Sequence, residues 1–452
     1  MKVTFWGVRG SIAAPGRATA EFGGNTSCVE IQLGSDRLIL DCGTGLRELG
    51  RHLMAAGQPI NATVLLTHSH WDHIQGFPFF APLFAPQHRF TIIGPHEHTN
   101  RLSETLAGQM QYRYFPIGLE QLAADIHYQE VREEKFPVGS AAVSTYYLNH
   151  TIMAVAYKIE AFGRTVVYAT DTEPFSQQAR AWAPDSRKFL HRRDEELAGF
   201  VKGADILIMD SQYTAHEYPS RVGWGHGTPD YAMDIAVSAG VGTLVLFHHD
   251  PTRIDSAVAV LEQLAQKRAQ EEAPDMEVLA AAEGLSLDLD DGQLGEVPAL
   301  ERCMPEFHAR VRIAVVGARD EFMRVAWKAL AQDHYEVVGM NALNSRDGRD
   351  LADFQPHLVL LEYGLAGWDP SVGEFMEREN KRNVPVISVV PAGSFEEPQE
   401  AFDRGASDVL IEPFAPTQLR SRVDSWLMRS GIAVDRRVRG RSGTLAPAPA
   451  PA

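Results

Sequence analysis

The segment Thr67-His68-Ser69-His70-Trp71-Asp72-His73 follows directly on an apolar run at 63–66, which we predict to be a buried strand. Three histidines and one aspartate fall within six residues. Imidazole nitrogens and a carboxylate oxygen suit zinc, iron or manganese, and a catalytic site also keeps positions open for water. A polar surface loop is the alternative, but it does not explain why four ligand-type side chains converge at this spacing. The segment therefore predicts a catalytic metal site at a strand end.

Further ligand candidates lie downstream, each next to a predicted strand. His150 lies between two strand-like segments, and Asp171 and His248 each end an apolar strand. His249 is a rival for His248, and we favour His248 because it comes first after its strand. Asp41 also ends a strand, and it is either a carboxylate that orients a ligand histidine or the opening residue of a glycine-rich turn.

The pattern His-x-His-x-Asp-His after a strand resembles the signature of the metallo-β-lactamase superfamily, and the later candidates follow in that family's order. The resemblance implies an α/β fold, a four-layer αββα sandwich with the ligands at one edge of two packed sheets. It also implies two divalent metal ions, zinc first, with manganese and iron as alternatives. The implied ligands are His68, His70 and His150 for one ion, Asp72, His73 and His248 for the other, and Asp171 as the bridge. Two such ions would hold a hydroxide between them, which is chemistry for hydrolysis.

A second motif, Gly225-His226-Gly227-Thr228-Pro229, precedes the strand that ends at His248. It resembles the motif that ribonuclease Z and related phosphodiesterases place beside their metals. The implied role of His226 is to donate a proton to the leaving alkoxide or to bind the phosphate. The alternative is a turn in which His226 packs and Thr228 caps the next helix. We take Asp72 and His226 as the candidate catalytic residues, with Asp210 at another strand end as a support for His226.

The expected substrate is a small cyclic nucleotide, with RNA second. The loops Gly7-Val8-Arg9-Gly10-Ser11 and Gly23-Gly24-Asn25-Thr26-Ser27-Cys28 resemble those of superfamily members described as cyclic-nucleotide-phosphodiesterase-like. A formal net charge of -17 disfavours an extended nucleic-acid surface, for which the run at 187–193 is the only basic candidate in the sequence. The aromatic run Tyr112-Arg113-Tyr114-Phe115 is either a lid that stacks on a base or part of the core.

Three other functions stay open. A ribonuclease Z-like RNA 3′-processing endonuclease is the enzyme alternative, and a hydrolase of thioesters or lactones comes third. The non-enzyme alternative is a signalling module with residual hydrolase activity.

The chain of 452 residues is too long for one hydrophobic core. We assign 1–292 to the hydrolase domain, 293–309 to a linker, 310–430 to a second domain and 431–452 to a disordered tail rich in alanine and proline. Three scattered cysteines and the lack of a long apolar run favour a cytoplasmic protein without a membrane segment.

The second domain alternates strands and helices, the pattern of a small parallel-sheet domain. It resembles the receiver domain of response regulators, a doubly wound, flavodoxin-like fold. Glu362 stands where that family has its phosphoacceptor aspartate, Glu412 stands where it has a lysine, and Gly317-Ala318-Arg319 replaces its first acidic residues. We therefore predict a pseudo-receiver used for docking, homodimerisation, contact with a signalling partner or control of the first domain.

Overall fold

The computed structural model divides into two compact units, Met1–Cys303 and Met304–Ala452. The structure describes residues 1–97, 101–175, 191–289, 306–308, 311–317, 319–330, 335–340, 354–362, 379, 384–391, 396–430 and 432–434. Most of the predicted linker and tail, and positions 187–190 of the basic run, lie outside the described residues. Within them, Glu306–His308 pairs in parallel with Ile432–Val434, so regular structure extends beyond the limits predicted for the second domain.

The first unit contains two seven-stranded sheets. The strands of the first sheet are β1 Lys2–Gly7, β2 Cys28–Leu33, β3 Asp36–Leu40, β4 Asn61–Leu65, β5 Arg89–Pro95, β6 Asp125–Val131 and, paired with β1, β14 Ser286–Asp288. The strands of the second are β7 Lys135–Val138, β8 Ala141–Tyr147, β9 Val155–Ala161, β10 Arg164–Ala169, β11 Ile206–Asp210, β12 Thr243–Phe247 and β13 Glu277–Ala280.

The two sheets pack face to face through large aromatic side chains. Phe5 of β1 and Phe247 of β12 lie with ring centroids 6.1 Å apart, and both side chains are fully buried. Tyr157 of β9 donates a 2.7 Å hydrogen bond from its hydroxyl to the Leu66 carbonyl, which follows β4. Apolar faces of two sheets exclude water from each other in this way, and burying each aromatic ring contributes about 1.5–3 kcal/mol.

Helices cover the outer face of each sheet. The helices are α1 Gly45–Ala55, α2 Trp71–Ile74, α3 Leu102–Gln109, α4 Arg192–Phe200, α5 Pro229–Ala239 and α6 Asp255–Glu272. One core cluster joins α1 and α3 to the first sheet, and another joins α4, α5 and α6 to the second. The layers therefore run helix, sheet, sheet, helix, which confirms the predicted αββα sandwich.

The second unit has a five-stranded parallel sheet in the order β17-β16-β18-β19-β20. Its elements are β15 Glu306–His308, β16 Val311–Val316, α7 Asp320–Leu330, β17 Tyr335–Met340, β18 Leu358–Glu362, β19 Val386–Val390, α8 Glu396–Asp403, β20 Asp408–Ile411, α9 Pro416–Arg429 and β21 Ile432–Val434. Alternate residues of β16 enter two cores: Ile313 packs with α7 and α9, and Ala314 packs with α8. Helices thus pack on both faces of this parallel sheet.

Candidate metal centre

The predicted ligands lie at one edge of the first unit's two sheets. Strands β3 to β6 run parallel, as do β10 to β13, so within each group the carboxyl ends meet at the same edge. The side chains that follow or end these strands are Asp41 after β3, His68, His70, Asp72 and His73 after β4, Asp171 after β10, Asp210 at the end of β11 and His248 after β12. His150, shortly after β8, completes the set.

Four of these residues form a first group whose ligand atoms all lie within 4.8 Å of one another: His68, His70, His150 and Asp171. His70 Nδ1 and His150 Nε2 face each other across 2.9 Å. Asp171 Oδ2 lies 3.5 Å from His68 Nε2 and 3.7 Å from His150 Nε2.

The second group, Asp72, His73, Asp171 and His248, meets the same 4.8 Å limit. The Nε2 atoms of His73 and His248 are 3.2 Å apart, and each lies 3.2 Å from Asp171 Oδ1. Asp72 Oδ2 is 3.2 Å from His248 Nε2. Asp171 thus directs one carboxylate oxygen to each group, as a bridging ligand does.

The donor set fits a pair of divalent cations. His68 Nε2 and Asp171 Oδ2 are buried and have no hydrogen-bond partner among the described residues, which is costly unless a ligand satisfies them. Each group offers more than one imidazole nitrogen and a carboxylate, donors suited to zinc, iron and manganese. The cluster is therefore consistent with a dinuclear metal site.

The electrostatics of the cluster favour metal-binding protonation states at most of these ligands. Burial lowers the pKa of His68 and His150, so both rings are neutral and present lone pairs. Burial alone would raise the pKa of Asp171, but His248 and His73 outweigh it and lower that pKa well below its usual range. Burial would lower the pKa of His73, yet three carboxylates, Asp171 first, raise it, so His73 must release a proton when a cation binds.

A second layer of hydrogen bonds orients the ligand rings. Asp41 Oδ2 accepts a hydrogen bond from His73 Nδ1 at 2.8 Å. Of the two roles considered for Asp41, this contact supports the carboxylate that orients a ligand histidine. His150 Nδ1 donates to the Gly225 carbonyl at 2.8 Å. His248 Nδ1 donates to Gln212 Oε1 at 2.9 Å. Such partners fix which ring nitrogen faces the metal and keep the ring in place.

The backbone at the site is unusual. Asp41, Asp171 and His248 have φ values of 61°, 56° and 63°, in the left-handed region that side-chain-bearing residues rarely adopt. A Cβ on Gly10 would lie 2.5 Å from the His248 ring, and one on Gly225 would lie 2.2 Å from His150 Nδ1. Both glycines let backbone approach a ligand ring closely.

His226 lies beside the cluster. Its Nδ1 donates to Asp210 Oδ2 at 2.9 Å, and its ring stacks on His248 with centroids 5.0 Å apart. Burial lowers its pKa, but Asp210 first, and then Asp171, outweigh burial and raise the pKa to about 9. Asp210 is the support for His226 that the sequence suggested. Because this hydrogen bond uses Nδ1, Nε2 is the ring nitrogen that can contact a substrate. Thr228 caps α5 as the alternative interpretation expected, since its side chain accepts from the Tyr231 amide.

His249 points away from the cluster. Its Nε2 donates to the Ala281 carbonyl at 2.9 Å, and burial lowers its pKa to about 3. The structure therefore brings His248, and not His249, to the other ligands.

The aromatic run at 112–115 and the basic run at 187–193 were considered as substrate contacts from the sequence, and the structure places their side chains differently. Tyr112 and Tyr114 are exposed at 87% and 71%, while Phe115 packs edge-on against Phe79. In the basic run, Arg193 is buried and donates to the Tyr147 carbonyl, so it does not belong to an open basic surface.

Three supporting residues were not identified from sequence. Arg9 is fully buried and donates to the carbonyls of Gly23 and Arg253, which fixes the N-terminal loop. The next-but-one residue in that loop, Ser11, donates its amide to Asp72 Oδ2 at 2.6 Å. Gln212 was also missed. All these contacts join segments that are far apart in the chain. The glycines around Arg9 were the only feature of the sequence that pointed to any of these three residues.

In the second unit, Arg319 connects Glu362 and Glu412, the two positions that the sequence analysis compared with those of a receiver domain. Its Nη2 lies 2.7 Å from Glu412 Oε2, its Nε pairs with Glu362, and its amide donates to Glu362 Oε2 at 3.1 Å. The Glu362 carboxylate is thus buried and neutralised by a cation of the same chain.

Comparison with known proteins agrees with the fold of the first unit. A family model described as "Beta-lactamase superfamily domain" matches residues 36–249. Residues 36–249 of the chain thus match a β-lactamase superfamily domain. The superfamily domain is similar to proteins named ribonuclease Z; the one from Thermoplasma volcanium is 24% identical over 298 residues, which are 59% of this chain and 92% of that protein.

Two solved structures are each similar to a part of this chain. The metallo-β-lactamase fold protein YhfI from Bacillus subtilis is 21% identical, with 63% of this chain and 98% of that chain covered and a TM-score of 0.45. The receiver domain of NtrX from Brucella abortus is 24% identical, with 26% of this chain and 98% of that chain covered and a TM-score of 0.23. In the part of the chain that the structure describes, no helix is both long and apolar enough to span a bilayer.

Proposed function

We propose that the first unit is a dinuclear metal-dependent phosphodiesterase. The observation that carries the proposal is the placement of Asp171, which turns Oδ1 toward one ligand group and Oδ2 toward the other. One group would hold its ion through His68, His70 and His150, and the other through Asp72, His73 and His248. When bound, the two ions supply activation of water and stabilisation of charge on the phosphoryl oxygens.

The protein's own groups supply orientation and a proton. Asp72 is held by the Ser11 amide, so its carboxylate keeps a fixed direction in the second group. His226 has its Nδ1 fixed by Asp210 and would protonate the leaving oxygen from Nε2. In the reaction, the water releases one proton to solvent as its oxygen bonds to phosphorus, the bond from phosphorus to the leaving oxygen breaks, and that oxygen takes the His226 proton. His226 then regains one proton from solvent, so each turnover consumes one water.

We propose a cyclic mononucleotide as the preferred substrate, ahead of precursor tRNA. The net charge of -17 disfavours a long polyanion, because each neutralised phosphate requires a basic side chain. Arg193, one of the few candidates for such a surface, is engaged inside the fold. The relatives named ribonuclease Z favour the second candidate, an RNA 3′-processing endonuclease.

A direct comparison of substrates tests both candidates. The full-length protein, loaded with zinc or manganese, would be given bis-p-nitrophenyl phosphate, cyclic mononucleotides and a precursor tRNA. We expect hydrolysis of the model diester and of a cyclic nucleotide at a higher kcat/KM than cleavage of the tRNA. Efficient cutting of precursor tRNA with cyclic nucleotides left intact would reverse the order of the two, and no diester hydrolysis at all would reject the proposal.

For the second unit we propose a pseudo-receiver that acts in docking or control. The proposal is supported by the flavodoxin-like strand order and by the ion pairs of Arg319, which occupy both Glu362 and Glu412.

A further inference from the structure

Two tryptophans beside the candidate metal centre expose most of their surface to solvent. Trp71 is 77% exposed and Trp224 is 59% exposed. Tryptophan is usually well buried, since its ring removes a large apolar area from water. Trp71 stands inside the ligand motif, between His70 and Asp72, and its amide and carbonyl belong to the short helix α2.

Short contacts connect the two tryptophan positions across the first ligand group. Trp71 follows His70, whose Nδ1 lies 2.9 Å from His150 Nε2. His150 Nδ1 in turn donates to the carbonyl of Gly225 at 2.8 Å, and Gly225 directly follows Trp224. Trp71 and Trp224 are thus each adjacent in sequence to a residue that contacts the His150 ring.

The loop that carries the second tryptophan is anchored by buried and charged partners. Glu173, which is 1% exposed, accepts a 2.9 Å hydrogen bond from the Gly223 amide. Glu217 in the same loop accepts a 2.7 Å hydrogen bond from Arg253. An exposed aromatic side chain on a fixed loop binds a flat ligand at a lower entropic cost than one on a mobile loop.

We propose that Trp71 and Trp224 form a nucleobase-stacking subsite of the metal centre. The inference rests on the proposed phosphodiesterase function and specifies its substrate class, a diester that carries a base next to the scissile phosphate. Every base has an aromatic face, so this subsite selects nucleotides over other phosphodiesters without selecting one base strongly. Stacking of one base in such a subsite strengthens binding by roughly tenfold.

The test compares two ligands that differ only in the base. AMP and ribose 5-phosphate would be titrated into the full-length, zinc-loaded protein by calorimetry, a readout that does not need turnover. We expect AMP to bind about tenfold more tightly than ribose 5-phosphate. Trp71→Ala and Trp224→Ala should each weaken AMP binding several-fold and leave ribose 5-phosphate unchanged, whereas Trp71→Phe should keep most of the preference.

The matched control is Phe84→Ala. Phe84 is an exposed aromatic residue of the same unit, at 38%, and belongs to the turn Ala81–Phe84, which contributes no ligand. Metal content measured on each variant would show that the centre is intact. Equal binding of AMP and ribose 5-phosphate by the unaltered protein, or an AMP preference that survives both alanine variants, would overturn the inference.

Hydrolysis of bis-p-nitrophenyl phosphate by the same preparations separates this inference from the proposed function. Hydrolysis without a preference for AMP refutes the subsite and leaves the phosphodiesterase proposal standing. A base preference lost in the alanine variants, without any diester hydrolysis, supports the subsite and rejects the phosphodiesterase proposal.

Discussion

The Asp41 carboxylate accepts a 2.8 Å hydrogen bond from His73 Nδ1, and both side chains are fully buried. The same carboxylate also accepts from the Thr67 amide at 2.8 Å and from the Tyr168 hydroxyl at 2.9 Å. Thr67 follows a strand of the first sheet and Tyr168 belongs to the second, so both sheets fix the direction of the His73 ring.

Asp41→Asn should therefore weaken metal binding in the group that contains His73. Loss of an orienting partner typically costs 10–100-fold in metal affinity, and we expect about that decrease in a chelator competition titration. Asp125→Asn, a change at an exposed carboxylate paired with Arg89, is the control and should leave affinity unchanged. Unaltered affinity in Asp41→Asn would show that His73 does not need this partner.

His226→Ala should retain metal and lose rate mainly with poor leaving groups. A positioned acid contributes roughly 10²–10⁴-fold when the leaving oxygen must be protonated, and far less for p-nitrophenolate. Steady-state rates on an alkyl-leaving diester and on a p-nitrophenyl diester measure the difference. His216→Ala, an exposed histidine in the segment before it, serves as the control. Equal losses on both substrates would contradict the proton-donor role.

The purified protein should bind about two divalent ions per chain, because Asp171 serves two ligand groups at once. His70→Ala or Asp72→Ala should abolish turnover and lower the metal content while circular dichroism stays near that of the unaltered protein. His127→Ala, at an exposed position, should change neither. Elemental analysis that finds no metal above background after reconstitution would disprove the site.

Glu362 should not become phosphorylated by acetyl phosphate. Its buried carboxylate is paired with Arg319, and Glu412 places a second negative charge near an incoming phosphoryl group. Intact-mass spectrometry of the full chain, before and after treatment, checks this expectation. A stoichiometric acyl-phosphate at Glu362 would refute the pseudo-receiver proposal.

The mostly apolar segments Cys28–Leu33 and Thr243–Phe247 are predicted from the sequence as strands, and β2 and β12 have these limits. Both strands are buried along nearly their whole length. Strand β6 was missed, since it alternates exposed and half-buried residues and contains Asp125, His127 and Gln129. The three-residue β14 was also missed, because only its pairing with β1 makes it a strand.

In the site, too, local sequence patterns were predicted, whereas contacts between residues far apart in the chain were not. Ligand types concentrated in one short motif are visible locally, and family order supplied His150, Asp171 and His248. Gln212 could not be found in this way, because its contact with His248 joins positions 36 residues apart and an amide side chain has no diagnostic spacing. The receiver resemblance located Glu362 and Glu412, but not the Arg319 side chain that joins them.

The left-handed backbone at Asp41, Asp171 and His248 bears on how the protein acquires its ions. Each such conformation costs on the order of 1–3 kcal/mol and persists only where the surrounding structure imposes it. Here Asp41 and His248 directly follow strands, and Asp171 lies two residues after one, so the strand ladders fix this backbone before any cation arrives. Metal uptake by the folded chain should therefore follow simple second-order kinetics, limited by encounter and by loss of the ion's hydration shell, with no slow folding phase.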